Sequence, residues 1–297
     1  MGMNKKQIQK NKGISVENLT LSYEKNLVLN NVNFSIKKGS VVTLVGPNGC
    51  GKTTLLKIIN GFLRQNEGTV YIDSRNIEEI TNRDLARILG HVSQMHKSSF
   101  PFSVLDVVLT GRMPYISMFS TPGKEDVEKA YEVLEFMGIA HFAQRPYTQI
   151  SGGERQMVMI AKALAQEPDF LLLDEPTSFL DLKNQIHVLK TIISLAKARN
   201  ITVLMTLHEP NHALLFSDEI ILLRKLNGLE NGNFSTLYEN SPEAYPGKDS
   251  TLVFPEENII SSGAPEKVMT PEKIKEAYGI AVEVLEYKGK RMIIPEI

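Results

Sequence analysis

The apolar run Val41 to Val45, the stretch Gly46-Pro47-Asn48-Gly49-Cys50-Gly51-Lys52-Thr53 and the helical spacing from Thr54 to Phe62 constrain this chain more than anything else in it. A short continuous apolar run suits a strand covered on both faces, and Gly46 to Thr53 fit the G-x-x-x-x-G-K-[ST] phosphate loop that joins such a strand to a helix. Glycines there leave backbone N–H groups free to converge on phosphate oxygens, and the helix starting near Gly51 aims the positive end of its dipole at the same point. Lys52 supplies a point charge for the β- and γ-phosphates, Thr53 a hydroxyl for Mg²⁺, and Thr54 stands where it can help hold the α-phosphate. A nucleoside triphosphate with Mg²⁺ is the ligand this chemistry fits.

Around the loop the pattern is that of an α/β protein. Short strand-like runs between Ile14 and Ile36, broken at Glu24 to Asn26 and at Asn30-Asn31, predict antiparallel β-structure. A helical stretch runs from about Ser93 to Pro168, with helices near 103–110, 125–137 and 152–166. Strands at 170–173, 201–206 and 219–223 then alternate with helices at 182–198 and 211–216, which implies a parallel sheet with crossover helices. Past Leu223 the pattern dissolves into Asn, Gly, Ser and Pro, read as an inserted loop or hairpin or as a mobile linker. Thr270-Pro271-Glu272 predicts a helix start, Gly279 its stop, and 281–294 a closing hairpin.

The strand Phe170 to Leu173 ends in Asp174-Glu175-Pro176, placing two carboxylates at the carboxyl edge of the sheet, where ligands bind in open α/β folds. An Asp-Glu pair after a strand also suits a solvated turn. Beside a phosphate loop, Asp174 is the candidate Mg²⁺ ligand and Glu175 the candidate base that orients the attacking water. Ser151-Gly152-Gly153-Glu154 opens a helix as a capping box, but two glycines in a first turn cost stability, so the bare N–H groups point to an anion.

In this order, the phosphate loop, Ser151-Gly152-Gly153-Glu154 and Asp174-Glu175 resemble the ATP-binding cassette proteins, with Ile150 and Glu154 departing from the usual Leu-Ser-Gly-Gly-Gln turn. The resemblance implies an α/β fold with a P-loop ATPase core, a mainly parallel sheet, an N-terminal antiparallel β-subdomain and an inserted helical subdomain. It makes Tyr23 the aromatic that stacks on adenine, Gln94 the link between Mg²⁺ and the membrane-facing helices, Asp181 part of the loop that crosses the dimer, and His208 the switch histidine at the γ-phosphate. By themselves Tyr23 suits a strand and Gln94 any surface. The implied organisation is an ATP-binding domain over 14–260, with the helical subdomain at about 95–167 and an atypical insertion at about 225–258, then a helix and hairpin extension over 261–297.

Family geometry also implies a second copy of the chain, with one ATP between Lys52 of one copy and Ser151 of the other. Leu109-Thr110-Gly111-Arg112-Met113-Pro114-Tyr115, Pro176 to Asp181 and Leu207 to Asn211 resemble the branch that imports iron-siderophore complexes and cobalamin, with haem, molybdate and tungstate carriers close by. In that branch the membrane subunits are separate permeases and an extracellular binding protein delivers cargo. A cassette ATPase serving DNA repair or translation is the alternative, against which no basic stripe with interleaved aromatics is visible.

Composition agrees with a cytoplasmic, peripheral subunit. A formal net charge of -1 gives no global attraction to nucleic acid, and one cysteine permits no internal disulfide. No apolar run approaches the roughly 20 residues of a membrane span, and Lys6 replaces the Ser or Thr of a myristoylation signal. His208-Glu209-Pro210-Asn211-His212 matches the H-E-x-x-H zinc pattern, but Pro210 is expected to keep both histidines off one helix face.

Overall fold

A computed structural model describes residues 12–24, 26–93, 101–117, 119–226 and 257–296. The chain opens with an antiparallel pair, β1 (Gly13–Tyr23) and β2 (Asn26–Lys37). Asn30-Asn31, expected as a break, lies inside β2. Asn31 adopts a left-handed φ of 47° and the register shifts around it, so the strand bulges instead of ending. After β3 (Val41–Val45) and α1 (Lys52–Ile59), β4 (Glu67–Ile72) and β5 (Arg75–Asn76) return to complete a four-stranded sheet, ordered β2-β1-β4-β5.

The sequence pattern predicts no element between that first helix and Ser93, yet this stretch supplies β4, β5, α2 (Asn82–Ile88) and β6 (Leu89–Val92). The causes are local. Glu67-Gly68 opens β4 without strand character, and α2 buries only Leu85. Gly90 and His91 interrupt the apolar run of β6.

The central sheet adds β7 (Phe170–Leu173), β8 (Thr202–Thr206), β9 (Glu219–Leu223) and β10 (Ile259–Gly263), in the order β10-β9-β3-β8-β7-β6. All its pairs are parallel except β10 with β9. Alternation along β3 explains its unbroken apolar run. Val42 and Leu44 face one core with α1 and the antiparallel sheet, while Val41 and Val45 face the other. Helix α1 is sandwiched between sheets, burying Leu55, Leu56, Ile58 and Ile59 at about 2 kcal/mol each, and this fixes the loop before it.

The opposite core is capped by α3 (Val104–Leu109), α4 (Lys124–Phe136), α5 (Gly152–Leu164) and α6 (Leu182–Arg199). Here the Leu109 to Tyr115 motif acts as a clamp. A Cβ on Gly111 would stand 2.1 Å from the Lys162 carbonyl oxygen, so only glycine fits. Arg112, buried, donates to the Ala165 carbonyl and Glu167 Oε2, both at 2.8 Å, and to Asp126 Oδ1 at 3.2 Å. Its guanidinium also lies 4.1 Å from the Tyr115 ring centroid.

Helix α7 (Pro210–Phe216) starts at Pro210 with Glu209 as its N-cap, leaving His208 outside the helix as expected and removing the zinc geometry. Beyond β10 come α8 (Pro265–Val268), α9 (Pro271–Tyr278), capped by Thr270 and ended by Gly279 at φ 73°, and the hairpin β11 (Val282–Tyr287) with β12 (Lys290–Pro295). Asn211 of α7 holds that hairpin, donating to Ile293 O at 3.1 Å and accepting from Ile293 N at 2.8 Å. No helix among the described residues is long and apolar enough to cross a membrane.

Candidate nucleotide site

Gly46, Gly49 and Gly51 all adopt positive φ, and at Gly46 and Gly51 space is decisive as well. A Cβ on Gly46 would sit 2.5 Å from the Leu223 carbonyl oxygen, and one on Gly51 would sit 2.6 Å from Leu29 Cδ2. The loop is therefore wedged between β9 and β2. No side chain caps the N-terminus of α1, which leaves its first amides directed at the concavity of the loop.

Lys52 is buried, and its ammonium folds back to donate to Gly46 O at 2.6 Å and Pro47 O at 3.0 Å. Cys50 Sγ lies 3.8 Å away. Burial pushes that thiol up in spite of the ammonium beside it, so Cys50 is a neutral packing residue. Asn48 and Gly49 are exposed at the crest of the loop, with Thr53 and Thr54 half-buried at the helix start.

At the mouth of the sheet the strand ends connect. Thr53 Oγ1 donates to Asp174 Oδ1 at 3.1 Å, joining α1 to the end of β7. Thr206, wholly buried at the end of β8, donates to the same oxygen at 2.9 Å and accepts from Glu175 N at 2.8 Å. Sequence reasoning missed Thr206. Its signal is a hydroxyl closing the strand level with the acid pair.

Glu175 takes a left-handed φ of 51°, which turns its carboxylate away from that of Asp174. Oε2 accepts from Ser178 Oγ at 2.7 Å, and Oε1 lies 2.5 Å from His208 Nε2. Thr53, Asp174, Thr206, Glu175 and His208 are thus linked, brought together by α1, β7 and β8, with Lys52 next to Thr53 in the chain. The hard oxygen donors Thr53 and Asp174 fit Mg²⁺, which prefers one or two protein oxygens completed by phosphate and water. Tyr23 is exposed at the end of β1, opposite Asn26. Gln94 lies outside the described residues.

The other candidates stand apart. Ser151 caps α5 in a capping box: Ser151 N donates to Glu154 Oε2 at 2.7 Å and Glu154 N to Ser151 Oγ at 3.3 Å. Those bonds to Ser151 hold the Glu154 carboxyl below its usual range. A Cβ on Gly153 would stand 3.0 Å from Asn184 Cγ, whereas Gly152 is exposed at the tip. Asp181 caps α6 through Asn184 N at 2.8 Å. Both hydrogen bonds between Ser151 and Glu154 stay within the turn itself.

Residues 29–178 match the family model of the ABC transporter. The molybdate import ATP-binding protein MolC of Haemophilus influenzae is 39% identical over 73% of this chain and 81% of its own length. The iron(3+)-hydroxamate import ATP-binding protein FhuC of Bacillus subtilis is 34% identical over 92% of this chain and 90% of that protein. A metal-chelate type ABC transporter solved in an inward-facing conformation superposes with TM-score 0.76 at 31% identity, covering 97% of this chain and 98% of that one. A dimeric bacterial ABC transporter cassette gives TM-score 0.61 at 32% identity, over 70% and 93% of the two chains.

Proposed function

Because this chain belongs to the ABC transporter family of ATP-binding proteins, we propose that it binds and hydrolyses ATP to power an importer of iron-siderophore, haem or cobalamin-type metal chelates. One observation carries the ATPase reading: Thr53, Asp174, Thr206, Glu175 and His208 form a single connected set at the mouth of the sheet, with Lys52, next to Thr53 in the chain, bonded into the adjoining loop. In this reading Tyr23 stacks on adenine, the amides of Gly46 to Thr54 and the Lys52 ammonium bind the triphosphate, and Glu175 takes the proton of the attacking water. His208, against Glu175 Oε1, keeps that carboxylate aimed and reaches the γ-phosphate. Thr53, Asp174 and Gln94 would hold Mg²⁺, which when bound would supply positive charge to stabilise the transferring phosphoryl group.

The exposed Ser151 to Glu154 turn completes the site in a second copy, so two ATP molecules are enclosed by a two-fold dimer. Shifting such a dimer from open to closed at 1:99 to 99:1 needs roughly 5.5 kcal/mol of differential binding, which hydrolysis withdraws. Asp181, capping α6 at an exposed edge, faces the same junction. A cavity of about 400 Å³ between the end of α1, α2, β6 and α5, lined by Phe62, Leu85, His91 and Met159 among others, supports docking of a separate membrane permease at the cytoplasmic face. An extracellular binding protein hands cargo to that permease. The proposed division into 14–260 and 261–297 places its boundary within β10.

Glu175→Gln is expected to keep ATP affinity, to dimerise stably with ATP and to lose at least ~10²-fold of turnover. Normal turnover in that variant removes Glu175 as the base. The similarity to FhuC runs over 92% of this chain, whereas 39% identity to MolC favours a second reading, molybdate or tungstate import. A deletion strain assayed for uptake of labelled ferric chelate, corrinoid and molybdate decides between them.

A further inference from the structure

The phosphate loop has a floor, and that floor is tied down by a residue far away in the sequence. Asn258, just before β10, is 0% exposed, and its carboxamide spends both of its functions on two other elements. Its Oδ1 accepts from Asn30 N at 2.6 Å, and its Nδ2 donates to Val28 O at 3.0 Å and to Cys50 O at 3.4 Å. Val28 and Asn30 belong to β2, whose first residue, Asn26, pairs with Tyr23. β2 also touches the loop directly, since a Cβ on Gly51 would meet Leu29 Cδ2 at 2.6 Å and Val28 O at 3.3 Å. The Asn258 carbonyl in turn accepts from Arg224 N at 2.8 Å, so the residue is held by backbone as well.

We propose that Asn258 is a positioning residue of the nucleotide site, stitching the hairpin that carries Tyr23 to the Cys50 carbonyl of the phosphate loop so that adenine-side and phosphate-side contacts keep one fixed separation. This rests on the ATP reading above. A ligand bound at two ends gains from having both ends prepositioned, because the second contact then forms at high effective concentration. Asparagine suits the task chemically. A carboxylate would replace the Nδ2 amino group with an oxygen repelled by Val28 O and Cys50 O, and an alanine would take one hydrogen-bond partner from each of Asn30 N, Val28 O and Cys50 O.

The test uses the full chain with Mg-ATP and with inorganic tripolyphosphate as probes, by equilibrium binding and steady-state kinetics. Asn258→Ala is expected to weaken ATP binding about threefold to tenfold and to raise KM alike. It should leave kcat at saturating nucleotide within about twofold and tripolyphosphate affinity within about twofold, since a probe lacking adenine does not feel the stitch. Asn258→Asp should lose more than Asn258→Ala. Where Asn258→Ala fails to fold, Asn258→Gln makes the same comparison, keeping the amide but displacing it by one methylene. Equal ATP affinity in the variants, or tripolyphosphate weakened as much as ATP, overturns the proposal. A wild-type chain that binds no ATP sinks the nucleotide reading itself, which the wild-type titration reports before any variant is made.

Discussion

Two glycine-flanked helix starts among the described residues, α1 and α5, are built in opposite ways. At α1 the N-terminus carries no capping side chain; Lys52 bonds to its own loop, while Thr53 and Thr206 each donate to Asp174 across elements. At α5 a complete capping box closes on itself at the surface. On the proposed reading, the contrast bears on where each helix would find its ligand. A start lodged among strand ends can assemble a site within one chain, whereas a self-satisfied start at an exposed edge has groups to offer only to another molecule.

The widest consequence to check is that the two starts serve the same ATP from different copies. Lys52→Ala should lose at least ~10²-fold of nucleotide affinity, since it removes the buried charge that the proposed reading sets against the triphosphate. Ser151→Arg should bind nucleotide in the monomer yet fail to dimerise with it. Mixing the two variants should restore ATP-dependent association, because the mixed dimer keeps one intact Lys52 facing one intact Ser151. No restoration by size-exclusion chromatography with ATP would mean that the two starts do not meet across copies.

Thr206→Val probes the wired half alone. It keeps the shape, removes a bond to Asp174 Oδ1 and another to Glu175 N, and should cost about 1–3 kcal/mol in thermal or denaturant unfolding, with turnover falling along with it. An unchanged midpoint would show that Asp174 and Glu175 are placed without it. The smallest effect is expected at α5, where Ser151→Ala removes only a cap. About 1 kcal/mol of stability should go while monomer affinity for ATP stays put, as calorimetry and a nucleotide titration can read together.

The same contrast governs how much of the fold and site is legible in the residues alone. Strands with both faces buried, Val41 to Val45 and Phe170 to Leu173, announce themselves as unbroken apolar runs, and α9 declares both of its ends through Thr270-Pro271 and Gly279. β4 and β6 are hidden because Gly68, Gly90 and His91 interrupt their patterns, although partner strands supply the hydrogen bonds regardless. Lys52, Asp174 and Glu175 are legible because spacing and chemistry coincide in one motif. Thr206 and Asn258 are not, since each matters through bonds to residues distant in sequence that no local pattern encodes.

One detail at Lys52 bears on which molecules can open this site. Its ammonium is already engaged by two carbonyls of its own loop, so a newcomer must prise it loose before being gripped. A nucleotide ending short of that ammonium offers nothing in exchange and leaves the latch shut, while one whose terminal phosphate reaches it swaps a charged partner for two neutral ones. On the ATP reading proposed above, chain length would thereby be measured by a trade of lysine partners.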